Sequence, residues 1–98
     1  MTEMKEVQEE IGRRVTRYVF GRGGDRLRTM EKVALLALAE VADDRGHIQV
    51  PAADLCRMTG TSQPTLRKSI GFLSERGLVE NLGLIGPAMR RRIHTEVM

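Results

Sequence analysis

The sequence predicts a mainly α-helical domain with a small β-hairpin, an α+β fold. Three observations support this prediction. Apolar residues recur at helical spacing through most of the chain, two of the predicted helices meet at a tight turn at Gly60, and residues 90–97 alternate as a strand does. The 98 residues are 41% hydrophobic and 3% aromatic, which is enough for one domain with a modest aliphatic core.

The first predicted element is an amphipathic helix over residues 3–20. Its apolar stripe consists of Val7, Ile11, Val15 and Tyr18. A flexible Gly-rich joint over residues 21–28 separates this helix, residues 1–20, from a main domain over residues 29–98. The apolar stripe is expected to pack against another surface, because an isolated helix of this length is only marginally stable in water. Two covers for the stripe stay open: a second copy of the chain, which would give a homodimer, or the chain's own domain.

The main domain begins with a helix from about Thr29 to Ala42, with Gly46 as a plausible C-cap. Four residues mark its expected core side and two leucines widen the stripe: Val33, Leu36, Ala37 and Val41, then Leu35 and Leu38. A short strand is expected over residues 48–50, and Pro51 opens the next helix.

The most informative segment runs from Asp54 to Val79 and predicts two helices joined by a tight turn. Gly60 makes the turn, and Ser62 caps the second helix by accepting a backbone N–H. Pro64 lies in the first turn of that helix, where a missing N–H costs little, and Gly77 ends it. The core stripe of this helix consists of Leu66, Ile70 and Leu73. Strands are then expected over residues 78–83 and 90–97.

This pattern resembles the helix-turn-helix of bacterial and phage winged-helix DNA-binding proteins. That family has a small residue within the first helix, glycine at the turn, serine at the second cap and Gly-Leu-Val after the second helix. Cys56, Gly60, Ser62 and Gly77-Leu78-Val79 match it without a gap. The resemblance implies a winged helix-turn-helix with an extra N-terminal helix, and a second motif helix that recognises double-stranded DNA.

The recognition helix offers two candidates for base contacts, Gln63 and Arg67. Glutamine pairs with adenine and arginine with guanine in the major groove, whereas Ser62, Thr65 and Lys68 suit phosphates better. The full set of expected DNA contacts is Thr61, Ser62, Gln63, Pro64, Thr65, Arg67, Lys68, Arg90, Arg91 and Arg92.

The charge distribution favours this assignment. The chain carries a net charge of +3, with three basic against five acidic residues over 29–60 and six against three over 61–98. Positive charge thus gathers where phosphate neutralisation requires it. Arg90, Arg91 and Arg92 are expected at the surface, although strand alternation turns Arg91 away from the other two.

The connection from Leu84 to Met89 is too apolar for an ordinary wing tip, so it either contacts a protein partner or folds back onto the core. Three functions therefore stay open. A sequence-specific transcriptional regulator, such as a repressor, is favoured over a replication or partition protein of a phage or plasmid. The third is a winged helix that binds protein.

Nothing in the sequence favours an enzyme, a cofactor or a metal site. His47 and His94 stand alone, and Asp43 belongs with Asp44 to a turn. Cys56 suits a compact hydrophobic position and cannot form an internal disulfide. The N-terminus is too acidic for a signal peptide, and no apolar run approaches the roughly 18 residues of a membrane span. We therefore expect a cytoplasmic, nucleoid-associated protein without a membrane partner.

Overall fold

The structure is a computed structural model that describes the backbone of residues 2–85 and 88–98 and the side chains of residues 10–81 and 90–98. This part of the chain contains helices α1 (Thr2–Phe20), α2 (Thr29–Val41), α3 (Ala52–Thr59) and α4 (Gln63–Glu75). It also contains strands β1 (His47–Ile48), β2 (Val79–Ile85) and β3 (Ala88–Ile93), and a 3-10 turn over Thr95–Val97. The strands form one antiparallel sheet in the order β1-β3-β2. The prediction of a mainly α-helical α+β protein is therefore confirmed.

Helix α2 forms the centre of the core, because α1 packs against it and so do α3 and α4. Ala34, Leu35 and Leu38 are completely buried, whereas Leu36 and Val41 are only half-buried. The expected core side was therefore centred on the wrong residues. A helix that is covered by several neighbours buries a wider arc than one apolar stripe suggests.

The end of α2 also differs from the prediction. The helix stops at Val41, and Gly46 lies beyond it in a turn with φ of 79°, so Gly46 is not its C-cap. Asp43 Oδ1 accepts the backbone N–H groups of Arg45 and His47, both at 2.9 Å. A Cβ atom at Gly46 would lie 2.9 Å from the carbonyl oxygen of Ile93. Gly46 therefore allows the turn to lie against the end of β3.

The apolar stripe of α1 is covered by the chain's own domain. Ile11, Val15 and Val19 belong to the same core as α2, and Tyr18 packs half-buried at its edge. The side chain of Val7 lies outside the described residues. Of the two covers that the sequence left open, the structure shows the internal one. A homodimer stays a prediction, and in the described part of α1 the burial of Ile11 and Val15 gives it no support.

Residues 21–28 form a compact turn and not the flexible joint that their glycines suggested. The N–H of Gly23 donates to the Tyr18 carbonyl at 2.8 Å, and the N–H of Leu27 donates to the Gly23 carbonyl at 3.0 Å. Leu27 is buried in the core. A Cβ atom at Gly23 would meet the Tyr18 ring at 2.6 Å, so glycine permits close packing here.

The hairpin is longer at its tip and shorter at its base than predicted. Strand β2 continues to Ile85 and β3 begins at Ala88, so the expected loop from Leu84 to Met89 consists largely of strand. Residues 86 and 87 and the side chains of the whole connection lie outside the described part of the structure. The expected contact of this connection with a protein partner therefore stays a prediction. At the other end, β3 stops at Ile93 instead of continuing to residue 97. His94 leaves the extended conformation, and its N–H donates to the Leu78 carbonyl.

None of the helices in the described residues is both long enough and apolar enough to cross a membrane.

Candidate nucleic-acid interface

The turn between α3 and α4 forms as the sequence predicted. Gly60 adopts a left-handed conformation with φ of 68°, and its N–H donates to the Cys56 carbonyl at 2.8 Å. Such a cap ends α3 and satisfies a carbonyl group in its last turn. Cys56 is half-buried against the core, as a small residue at this place should be.

Helix α4 begins at the expected serine cap. Ser62 Oγ accepts the backbone N–H of Thr65 at 3.4 Å, and the two hydroxyl groups lie 3.0 Å apart. Pro64 occupies the first turn. Gly77 follows the helix with φ of 75° and ends it. The sequence therefore located both ends of α4 correctly.

The two faces of α4 divide as the helical spacing predicted. The buried face consists of Leu66, Ser69, Ile70 and Leu73. The exposed residues between the cap and the middle of the helix are Ser62, Gln63, Pro64, Thr65, Arg67, Lys68 and Gly71, and Thr61 is half-exposed beside them. We call these eight residues the outer face. It contains two cations and no carboxylate, because the chain has no acidic residue between Asp54 and Glu75.

The three arginines of β3 differ more in solvent exposure than the sequence predicted. Arg90 and Arg92 are half-buried, but Arg91 is only 7% exposed. The prediction that all three are surface side chains is therefore wrong for Arg91. Its strand partners are Ile48 and Asn81, and directly opposed residues share a face of the sheet. Arg91 thus lies on the core side of the sheet.

The Arg91 guanidinium is poorly satisfied. Among the described residues, its Nε and Nη1 atoms are buried without a hydrogen-bond partner. Burial lowers the pKa of this group, and the positive charge of Arg67 lowers it further. Two of the predicted DNA-binding residues, one on α4 and one on β3, therefore influence each other electrostatically.

Arg92 has carboxylate neighbours that the sequence analysis did not anticipate. Its Nη2 atom lies 3.3 Å from Glu96 Oε1, and its Nη1 atom lies 3.9 Å from Glu80 Oε1. His94 joins the same group, with Nδ1 2.8 Å from Glu96 Oε1, and this hydrogen bond lowers the pKa of the Glu96 carboxyl. The charge of Arg92 is therefore largely compensated inside the chain.

A second missed cluster holds the end of α4 against α2. Glu31 is only 2% exposed, and its Oε1 atom lies 3.5 Å from Arg76 Nη2. The guanidinium carbons of Arg28 and Arg76 lie 5.4 and 5.9 Å from the centre of the Phe72 ring. Arg28 Nε also lies 4.0 Å from Glu31 Oε2, three residues further along the chain. The contact of Glu31 with Arg76 had no local signal in the sequence.

The described residues contain no group of three or more histidine, cysteine or carboxylate side chains that could hold a metal ion. Asp43 and Asp44 lie in the turn before β1, where Asp43 caps backbone N–H groups.

Comparison of the sequence with models of known protein families found no match, and comparison with curated proteins found none either.

Proposed function

We propose that the chain is a winged helix-turn-helix protein that binds duplex DNA sequence-specifically and acts as a cytoplasmic transcriptional regulator. The observation that carries this proposal is the outer face of α4. It is exposed from its cap to Gly71, carries Arg67 and Lys68, and has no acidic residue. Such a face meets the requirements of a polyanionic partner.

The dimensions of α4 suit the major groove. A helix of 13 residues is about 20 Å long, and the groove of B-form DNA admits one α-helix. Gln63 and Arg67 are four residues apart and so lie on the same side of the helix. The order of the elements, with a helix pair followed by a hairpin, also agrees with the resemblance found in the sequence.

The first test compares two neighbouring cations on the outer face. Arg67→Ala should weaken binding to a selected site by about 1–3 kcal/mol and relax the preference at one base pair. Lys68→Ala should weaken binding to all duplex sequences alike. It should also reduce the slope of log affinity against log salt concentration by about one unit. Fluorescence anisotropy with a selected duplex and a scrambled duplex, over a series of salt concentrations, measures both effects. Unchanged affinity in both variants would reject the placement of α4 in the groove.

The second test uses the exposed glycine in the middle of α4. A Cβ atom at Gly71 or at Gly12, in the middle of α1, would meet no atom within 4 Å. Gly71→Ala and Gly12→Ala should therefore each stabilise the fold by up to about 1 kcal/mol, because alanine favours helix. If DNA approaches the backbone of α4, only Gly71→Ala should also weaken duplex binding. Urea denaturation and anisotropy on the same two variants separate the effects, and equal binding by both would place Gly71 away from the DNA.

A replication or partition protein would bind DNA through the same face, so the sites selected from a random duplex pool distinguish it from a regulator. A protein-binding winged helix should show no salt-dependent affinity for arbitrary duplex.

Homodimerisation remains part of the proposal, because two copies on a two-fold axis double the number of base contacts. Light scattering without DNA measures it directly.

A further inference from the structure

The charges of α1 are divided between its two halves. The first half has four glutamates and one lysine, and the second half has three arginines and no carboxylate: Glu3, Glu6, Glu9, Glu10 and Lys5, then Arg13, Arg14 and Arg17. The helix dipole favours acidic residues only in the first turn and basic residues only in the last turn. It therefore does not account for the charges in the middle of this helix.

Glu6 and Arg17 have no opposite charge at the spacings where helix residues meet. Only like-charged or neutral residues lie three and four positions away: Thr2, Glu3, Glu9 and Glu10 around Glu6, and Arg13, Arg14, Phe20 and Gly21 around Arg17. Like charges at these spacings repel each other. Any opposite charge that Glu6 or Arg17 meets must therefore come from outside α1.

The middle of α1 is no better paired within the helix. Glu10 precedes Arg13 and Arg14 by three and four residues, where an ion pair could form. Among the described residues, however, no ion pair within 4.0 Å includes Glu10, Arg13 or Arg14. These charges are thus also available to a partner.

Five of these positions lie along one side of α1. They follow one another at intervals of four, three, four and three residues, and we call them the charged ridge: Glu6, Glu10, Arg13, Arg17 and Phe20. The last four of them have described side chains, and all four are exposed, Phe20 to 77%. The ridge is opposite the side of α1 that packs on the core.

We propose that the charged ridge binds the same ridge of a second copy of the chain, with the two α1 helices antiparallel. An antiparallel pair centred between residues 11 and 12 places Glu6 opposite Arg17 of the second copy, and Glu10 opposite Arg13 of the second copy. The two-fold axis repeats both pairs. A parallel pair would instead place each charge opposite its own copy, where like charges repel.

This contact deepens the proposed function, on which it rests for the role of a homodimer. It lies on the opposite side of α1 from the apolar stripe, and it contains no residue of α4. Exposed ion pairs are individually weak and are screened by salt. The dimer should therefore dissociate about tenfold more readily when NaCl rises from about 50 mM to about 500 mM.

The first experiment measures mass by sedimentation equilibrium without DNA, for two variants whose ridge carries charges of one sign. Glu6→Arg with Glu10→Arg makes the ridge basic, and Arg13→Glu with Arg17→Glu makes it acidic. Each variant alone should associate about a hundredfold more weakly than the parent, because every pair then joins like charges. An equimolar mixture of the two variants should form a heterodimer, because every pair again joins opposite charges.

The matched control is Arg67→Glu with Lys68→Glu, which makes the same change in net charge as the acidic variant at two exposed residues of α4. It should dimerise like the parent. Far-UV circular dichroism shows whether each variant is folded, and a salt series on the parent tests the contact without any substitution. A dimer in the mixture cannot arise from a variant that fails to fold.

The proposal is overturned by a parent that is monomeric at low salt, by a parent dimer that salt does not weaken, or by folded variants whose mixture stays monomeric. Because no DNA is present, these results are separate from duplex binding. Duplex binding by a monomeric parent would reject the ridge contact and leave DNA binding intact. A ridge-dependent dimer that binds no duplex would reject the proposed function and leave the contact intact.

Discussion

Val15→Asp is expected to leave most of the protein unfolded at 25 °C. Val15 has no exposed surface and belongs to the core that α1 forms with α2. The substitution removes about 1.5–3 kcal/mol of apolar burial and forces a carboxylate into an apolar environment, which adds several kcal/mol more. The sum approaches the whole stability of a small domain, about 5–15 kcal/mol. Far-UV circular dichroism in a urea series measures the loss.

The matched control for this variant is Thr16→Asp, at an exposed position one residue further along α1. It should change the free energy of unfolding by no more than about 0.5 kcal/mol. The comparison of Val15→Asp with Thr16→Asp also shows whether the apolar stripe of α1 packs on the chain's own domain or on a second copy. A folded Val15→Asp protein whose mass falls from dimer to monomer in light scattering would show that α1 is a contact between copies, contrary to the burial seen within one chain.

Arg76→Ala is expected to destabilise the protein by about 2–3 kcal/mol at neutral pH. Arg76 supplies the nearer of the two cations beside Glu31, whose carboxylate is almost completely buried. Removing one partner of a buried pair leaves the other charge poorly compensated, which costs more than the pair itself contributes. The variant also loses the contact of Arg76 with the Phe72 ring and its hydrogen bond to the Arg26 carbonyl.

The double variant Arg76→Ala with Glu31→Gln tests that explanation. A neutral amide at position 31 no longer needs a cation, so much of the lost stability should return. Denaturant titrations of the parent, both single variants and the double variant give the coupling energy directly. Purely additive losses would mean that Arg76 acts through Phe72 and the backbone and not through Glu31.

The parts of the fold that the sequence predicted well are those specified by neighbouring residues. Gly60 and Gly77 adopt left-handed conformations that favour glycine, and Ser62 caps a helix that starts one residue later. Each of these features depends on a few consecutive residues. The exposed and buried faces of α4 followed from the same local spacing.

The parts that failed depend on contacts between distant segments. The glycines of residues 21–28 suggested a flexible joint, yet Gly23 is there because the Tyr18 ring packs against it. The core face of α2 was predicted wrongly, because the residues of α2 and those next to it in the sequence do not reveal how many other helices pack against it. The end of β3 was also predicted wrongly, since the alternation of residues 93–97 continues while the backbone leaves the extended conformation at His94 and forms a 3-10 turn over Thr95–Val97.

The candidate site shows the same division. Seven of the eight residues of the outer face, all but Gly71, were among the expected DNA contacts and are exposed or half-exposed, whereas the burial of Arg91 was not expected. Strand alternation did separate Arg91 from Arg90 and Arg92, and Ile93 two residues later indicated which face is apolar. Three consecutive arginines nevertheless favoured a surface position for all three, so this indication of a buried face at Arg91 was not used. The contact of Glu31 with Arg76 spans 45 residues, and no spacing rule predicts it.

The packing of Tyr18 determines what optical methods can report about this protein. The chain has one tyrosine and no tryptophan, and the tyrosine lies at the end of α1, half-buried against the core and beside Gly23. Its fluorescence therefore follows the detachment of α1, while far-UV circular dichroism averages over all helices. Coincident melting curves from the two signals would show that α1 unfolds with the rest of the domain as one cooperative unit. An earlier fluorescence transition would show that α1 separates from a main domain that remains folded.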